Sequence, residues 1–223
     1  MLARTRSGAN KAHVDALVAQ AQAGDEQAFE QLVSEFSARI YNYVARMVQD
    51  PTEAQDVAQE TFVRAYTALK SFRGASSFQT WLYRIASNLA IDAARRRKRR
   101  QADVVSMDEP VESDGGDTEV GRDFPDELTR SPAEELDSTE TRREVWEAIS
   151  ELSDKLRPVV ILYDLQGLSY EEIARVLGCP MGTVKSRLFN ARTQLREKLR
   201  QRFILAPAAE IAAQAETERS RES

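Results

Sequence analysis

The sharpest grouping of chemically capable residues lies between Leu168 and Leu199, in LSYEEIARVLGCPMGTVKSRLFNARTQLREKL. Ser169 and Glu172 have capping-box spacing, so a helix starts there. Ile173, Ala174 and Leu177 give it a short inward face, and Gly178 permits a tight turn. Pro180 suits the first turn of a second helix, which buries Val184, Leu188, Ala191, Leu195 and Leu199. Its other face presents Thr183, Lys185, Ser186, Arg187, Asn190 and Arg192. Lysine and arginine bond guanine edges or phosphates, asparagine pairs with adenine, and the hydroxyls bond either. A short helix, a tight turn and a longer helix of this composition make a helix-turn-helix suited to duplex DNA. An ordinary helical hairpin with a solvated charged face is the competing reading.

A second grouping runs from Phe72 to Arg100. The segment FRGASSF supplies Phe72, Arg73, Ser76, Ser77 and Phe78, with Trp81 one turn further on. Arg84, Asn88 and Arg95 recur at helical spacing, and the helix ends in the run Arg95–Arg100, which includes Arg96. Aromatic rings beside cations and small polar groups suit unpaired bases, which need a stacking surface and a cationic track. Against this, Phe78 and Trp81 are equally suited to a core, and the arginine run to a solvated helix end. A third face carries Asp56, Gln59, Glu60 and Val63, with Phe62 adjacent. Acidic and amide groups beside apolar ones do not favour phosphate; they suit a protein partner with a basic groove.

The elements that must position these groups are helical. Phe29, Leu32, Val33, Phe36, Ile40, Tyr43, Val44 and Met47 follow the three-four spacing of a buried stripe. A shorter helix with Val14, Leu17 and Val18 precedes it, separated by Gly24-Asp25. Asp50-Pro51-Thr52-Glu53 starts a third helix, burying Ala54, Val57, Ala58, Ala65 and Leu69. A fourth begins near Phe78, with Trp81, Leu82, Ile85, Leu89 and Ala93 inward. Periodicity fails from 101 and returns near Thr139, where Val145, Ile149 and Leu152 share a face; an apolar helix, Val159–Tyr163, follows Pro158.

The expected fold is therefore all-α: two small helical domains joined by a flexible acidic linker. The divisions are a disordered leader (1–12), a four-helix domain (13–100), the linker (101–138), a helix-turn-helix domain (139–203) and a tail (204–223). The linker explains a misleading average. Gln101–Glu140 holds 14 acidic and 2 basic residues, a net of −12, so the remainder carries +7 within a chain of net −5. As a coil of about 37 residues it spans roughly 30–35 Å, and over ~100 Å when stretched.

Other classes lack support. One cysteine, Cys179, and one histidine, His13, exclude an internal disulfide and a Cys/His zinc cluster. Both are read as structural. No catalytic constellation or cofactor motif is present; Glu171-Glu172 and Glu134-Glu135 have no converging partner. No apolar run reaches bilayer length and no secretory signal is evident, so a cytoplasmic protein without membrane insertion is expected.

Together AGDEQAFEQLV, DVAQETFVRAY, FRGASSFQTWLYRIASNLAIDAARRRKR and LSYEEIARVLGCPMGTVKSRL, in that order, resemble the extracytoplasmic-function (ECF) bacterial sigma factors. The resemblance covers about His13–Arg100 and Thr139–Leu199. It implies that Asp56, Gln59, Glu60, Phe62 and Val63 dock on the clamp helices of the largest subunit of core RNA polymerase. It implies that the Phe72–Phe78 loop and the Thr80–Arg97 helix recognise and melt the −10 promoter element, capturing a non-template base. The helix-turn-helix would read the −35 element, and the linker would thread toward the RNA exit path. The flap of the second-largest subunit and an anti-sigma factor are further expected partners. Many members have arginine where this chain has Asn190. Two rivals remain open on the residues alone: a stand-alone helix-turn-helix regulator, and an interaction module for an acidic partner.

Overall fold

The computed structural model describes residues 2–105 and 132–205, and every regular element in them is helical. In chain order these are α1 (Leu2–Gln22), α2 (Glu26–Val48), α3 (Pro51–Ala68), a 3-10 turn (Leu69–Ser71) and α4 (Phe78–Val105). Then come α5 (Pro132–Ser150), α6 (Arg157–Val160), a π turn (Ile161–Leu165), α7 (Tyr170–Leu177), α8 (Met181–Arg200) and a closing turn (Gln201–Leu205).

Local chemistry sets the boundaries. Gly24, at φ +103, makes the bend between α1 and α2, and Asp25 caps α2 by accepting from Ala28 N at 3.2 Å. At its other end Gln49 adopts the left-handed conformation and returns its N–H to Ala45 O. Asp50 then caps α3, accepting from Glu53 N at 2.8 Å, with Pro51 in the first turn. Glu53 does not reach back to the cap; its carboxylate lies 3.6 Å from Arg100. The predicted capping box of α7 is complete in both directions, and Gly178 (φ +61) ends that helix.

Helix α1 runs through the segment expected to be a disordered leader, in which no proline occurs and Gly8 is carried within the helix. Helix α4 likewise continues five residues past Arg100, and α5 begins at Pro132, so the helices take in both ends of the expected linker. Its remainder, 106–131, lies outside the described residues, as does the tail from 206.

Helices α1–α4 share one core: Leu32, Ile40, Tyr43 and Val44 of α2 pack against Ala54 and Ala65 of α3 and Leu82 and Ala86 of α4. The buried face of α4 is wider than its apolar spacing predicts. Tyr83, Ala86 and Ala90 are fully buried, whereas Trp81 and Ile85 are only half-buried. Tyr83 meets Tyr43 of α2 edge-on at 5.3 Å, and α4 also packs against α7, so that the apolar cluster continues into the helix-turn-helix unit.

Polar contacts secure that seam. Tyr83 donates to Gln166 at 2.5 Å, Thr80 donates to Glu172 at 3.1 Å, and Gln49 donates to Ser150 O at 2.8 Å. The Arg46 guanidinium lies 3.8 Å from the Trp146 ring centre. Arg157 is buried at the junction. It donates to Met47 O (3.2 Å), to Leu152 O (2.8 Å) and to Ser150 O. Met47 O needs this donor because the residue four places on is Pro51, which has no N–H. Burial and the nearby Arg97 cation lower the Arg157 pKa against the opposing influence of Asp154.

Candidate nucleic-acid interface

The first surface is built on α4 and the loop before it. Ser77 caps α4, accepting from Thr80 N at 3.1 Å, and its hydroxyl lies 2.7 Å from that of Thr80. Phe72, Phe78 and Trp81 form one aromatic cluster: Phe72–Trp81 centroids are 5.0 Å apart, Phe78–Trp81 5.7 Å and Phe72–Phe78 6.1 Å. Their exposure differs. Phe72 and Trp81 are half-buried, while Phe78 is buried edge-on against Phe36 at 5.5 Å. The sequence reading placed Phe78 at the DNA surface; the structure makes it the floor beneath the two rings that reach solvent. Arg73, Arg84, Asn88, Arg95 and Arg96 are exposed, and Ser76 is half-buried. Arg95 shares its charge weakly with Asp92 at 4.0 Å. Ser77 is committed to the cap.

The second surface is α8. Lys185, Ser186 and Asn190 are exposed, and Thr183 is half-buried. The Ser186 hydroxyl turns back to Thr183 O at 3.1 Å, and Arg187 points toward the half-buried Cys179, 3.9 Å from its sulfur. Arg192 stands apart from the rest. It pairs with Asp164 and lies 5.1 Å from the Tyr163 ring, which stacks on Tyr170 at 4.9 Å. The Asp164 hydrogen bond raises the Arg192 pKa, and the pair leaves Arg192 a reduced net charge to offer phosphate. Sequence reasoning missed Phe189, which is 72% exposed beside Asn190. The available signal was its register: it lies off the Val184–Leu188–Ala191 stripe.

The third surface is a groove between α2 and α3, about 680 Å³ in volume, lined among others by Phe29, Val33, Gln59, Phe62, Val63 and Tyr66. Gln59, Phe62 and Val63, the residues expected at a protein-docking face, are among those that line this groove. Asp56 and Glu60 are exposed on the same helix, with Glu60 paired to Arg64 at 2.7 Å. Tyr66, half-exposed and edge-on to Phe29 at 4.9 Å, was not singled out from sequence. Its spacing from Phe62 and Val63 placed it on the same face.

Glu172 is one of the points at which the four-helix unit and the helix-turn-helix unit touch. Partial burial raises its pKa, but the Ser169 backbone and hydroxyl donors, then Thr80 and Arg175, outweigh this and hold it below the ordinary value. Among the described residues no cluster of metal-ligating side chains occurs, and no helix is long and apolar enough to cross a membrane.

Comparison with known proteins gives matches on both sides of residues 106–131. The model of Sigma-70 region 2 matches residues 32–100, and that of Sigma-70, region 4 matches residues 142–195. The RNA polymerase sigma-H factor of Pseudomonas aeruginosa is 42% identical over 183 residues, covering 82% of this chain and 92% of that protein. The ECF RNA polymerase sigma-E factor of Escherichia coli K12 is 40% identical over 186 residues, with 82% and 92% covered. Among solved structures, CnrH in complex with the cytosolic domain of CnrY aligns with a TM-score of 0.58 at 26% identity, covering 84% of this chain and 97% of CnrH. RpoE of Bartonella quintana, solved with the anti-sigma factor NepR, shares the fold at a TM-score of 0.56 and 23% identity over 77% of this chain and 96% of RpoE.

Proposed function

The chain belongs to the ECF sigma-factor family of bacterial RNA polymerase, and from that premise we propose how its surfaces divide the work of initiation. The factor binds core polymerase and directs it to promoters. The observation that carries the residue assignment is the half-exposed Phe72–Trp81 ring pair, made by the loop and the first turn of α4, beside an exposed row of Arg84, Asn88, Arg95 and Arg96 on the same helix. Duplex opening forfeits roughly 1–2 kcal/mol of stacking per base-pair step. A ring surface returns about 1–3 kcal/mol per captured base, and the cationic row holds the strand that supplies it. The −10 surface is thus the α4 row with the Phe72–Phe78 loop, resting on Phe78. The −35 surface is the outer face of α8, with Lys185, Ser186 and Asn190 foremost and Phe189 available to a thymine methyl. Thr183 and Arg187 flank it, and Arg192 braces the Tyr163–Tyr170 pair.

The α2–α3 groove, with Asp56 and Glu60 beside it, is the docking face for a basic helical element of core polymerase, the clamp helices. The helix-turn-helix unit meets the flap of the second-largest subunit. An anti-sigma factor is the regulatory partner; CnrH, with which this chain aligns, is solved in a complex with another protein. The chain supplies no bond-making group; phosphodiester chemistry belongs to the polymerase. The protein works in the cytoplasm, where that polymerase is.

Run-off transcription with core polymerase of the source bacterium on a genomic fragment library tests the whole assignment. Specific start sites are expected only when the chain is added. Asp56→Lys with Glu60→Lys should abolish association with core while the variant remains folded by circular dichroism. Unchanged association would move the docking face elsewhere. Tight, specific duplex binding by the isolated chain would favour the stand-alone regulator.

A further inference from the structure

Gln22 closes α1 and lies outside the segment matched by the region 2 model. Its amide nitrogen donates to two backbone carbonyls, Leu69 O at 3.0 Å and Phe72 O at 2.7 Å. A side-chain amide nitrogen carries two hydrogens, so both are used. The acceptors bracket a single turn: Leu69 opens the 3-10 element, and Phe72 N returns to Leu69 O at 3.0 Å. Leu69 is buried in the core, whereas Phe72 is the half-buried residue from which the loop departs. Beyond Phe72 the loop has little of its own to fix its course. Gly74 takes φ +69, and the Ser76 hydroxyl makes one long bond, 3.4 Å, to Ser77 O. Its path is therefore set at its ends, by the Ser77 cap on α4 and by the Gln22 amide on Phe72.

We propose that Gln22 is a positioning residue for promoter opening: it fixes the Phe72 backbone so that its ring stands over Trp81 at the stacking site. The proposal rests on the assignment of the Phe72–Phe78 loop to base capture. Helix α1 also walls the recess beside that loop. A polar depression of about 630 Å³ is bounded by Lys11, Asp15 and Gln22 on α1, by Arg73 and Ser76 on the loop, and by Arg175 on α7. Rotating Phe72 away would open the recess and dissolve its aromatic edge.

The test uses holoenzyme reconstituted with full-length chain and core polymerase on linear duplex promoter. Each non-template base of the −10 element is replaced in turn, and opening is followed by 2-aminopurine fluorescence. Gln22→Glu keeps the size but turns a carboxylate toward two carbonyls; Gln22→Leu removes the donor. Losing two net hydrogen bonds at a positioned backbone predicts an about tenfold slower opening. Both variants should also lose discrimination at the captured position. Association with core and binding of −35 duplex should stay at wild-type values, while the melting temperature falls by only the few degrees that two hydrogen bonds are worth. Gln22→Lys, a donor of similar reach, should keep most of the discrimination. Opening and discrimination at wild-type levels in Gln22→Glu would overturn the proposal. So would a parallel fall in core association, −35 duplex binding and opening, which marks a purely structural bond. If wild type itself discriminates at no −10 base, the loop assignment falls, and the proposal falls with it.

Discussion

Replacing Arg157 by leucine tests the seam at its most buried polar point. The guanidinium holds three carbonyls: Met47 O at the end of α2, and Ser150 O and Leu152 O after α5. Ser150 O retains the Gln49 amide at 2.8 Å in the variant. Met47 O and Leu152 O lose the donor in a buried setting. Each orphaned group costs about 1–3 kcal/mol. Some of this is offset, because leucine has no charge to desolvate and the buried Arg157 Nε has no partner in the structure. A net loss of about 3 kcal/mol follows, which for a chain of this size lowers Tm by roughly 6–12 °C. Arg157→Lys should recover no more than about a third, since an ammonium on a shorter stem cannot span three acceptors. Thermal unfolding followed at 222 nm reads the effect directly. A drop below ~2 °C for the leucine variant would show that water replaces the guanidinium and that the junction is not held as described.

Two further outcomes follow from the same geometry. Phe78→Ala should cost about 3–5 kcal/mol of stability as a core deletion. Phe72→Ala, at a half-exposed ring, should cost about 1 kcal/mol while slowing promoter opening at least as much as the Gln22 variants; denaturant titration beside the opening assay separates the two, and equal stability losses would contradict the floor-and-surface division. The Glu172 carboxyl is held below its ordinary value of about 4.5, so its contribution to stability is complete above that pH and is lost as pH falls through the lowered value. Glu172→Gln should therefore flatten that part of the acid limb of a stability-versus-pH curve, and an unchanged limb would remove Glu172 from the seam.

What could be read from sequence was what depends on near neighbours. The Asp50-Pro51 start, the Ser169–Glu172 box, the Gly178 turn and the α2 stripe all rest on residues within one or two turns, and each stands as read apart from the Glu53 half of its box. What could not be read depends on distant partners. Tyr83 is unremarkable on one helix, and it is buried because its ring meets Tyr43 of α2 edge-on at 5.3 Å and its hydroxyl reaches Gln166. Arg157 reads as a surface cation until Pro51, 106 positions earlier, leaves a carbonyl for it. Phe78 and Trp81 have the same sequence credentials, and Phe36 decides which of them is covered. Arg192 was placed with the DNA contacts by its spacing, but Asp164, 28 residues away, claims it. Gln22 had no signal at all, since a lone amide near a helix end is common.

The seam carries a consequence for promoter binding. Elements at −10 and −35 lie 25 base pairs apart, about 85 Å of duplex at ~3.4 Å per step. In the structure the two units assigned to them are joined by several hydrogen bonds, among them Tyr83 to Gln166, Thr80 to Glu172, Gln49 to Ser150 O and Arg157 to Met47 O. A compact body of this size is only about 40–50 Å across, so on the proposed assignment the closed form falls short of that span. The chain permits opening: 27 steps separate Val105 from Pro132, a reach of about 90 Å when extended. Promoter binding must therefore spend the Tyr83–Gln166, Thr80–Glu172 and Gln49–Ser150 contacts, and the apolar seam beneath them, before both surfaces are used. A short bis-thiol cross-link between Gln49→Cys and Ser150→Cys, in a Cys179→Ser background, should hold the seam shut. The linked protein should still associate with core through the α2–α3 groove, yet direct at least about tenfold less transcription from a two-element promoter. The unlinked double variant should work as wild type. Full activity of the linked protein would mean that initiation proceeds with the units together, and the span argument would have to be abandoned.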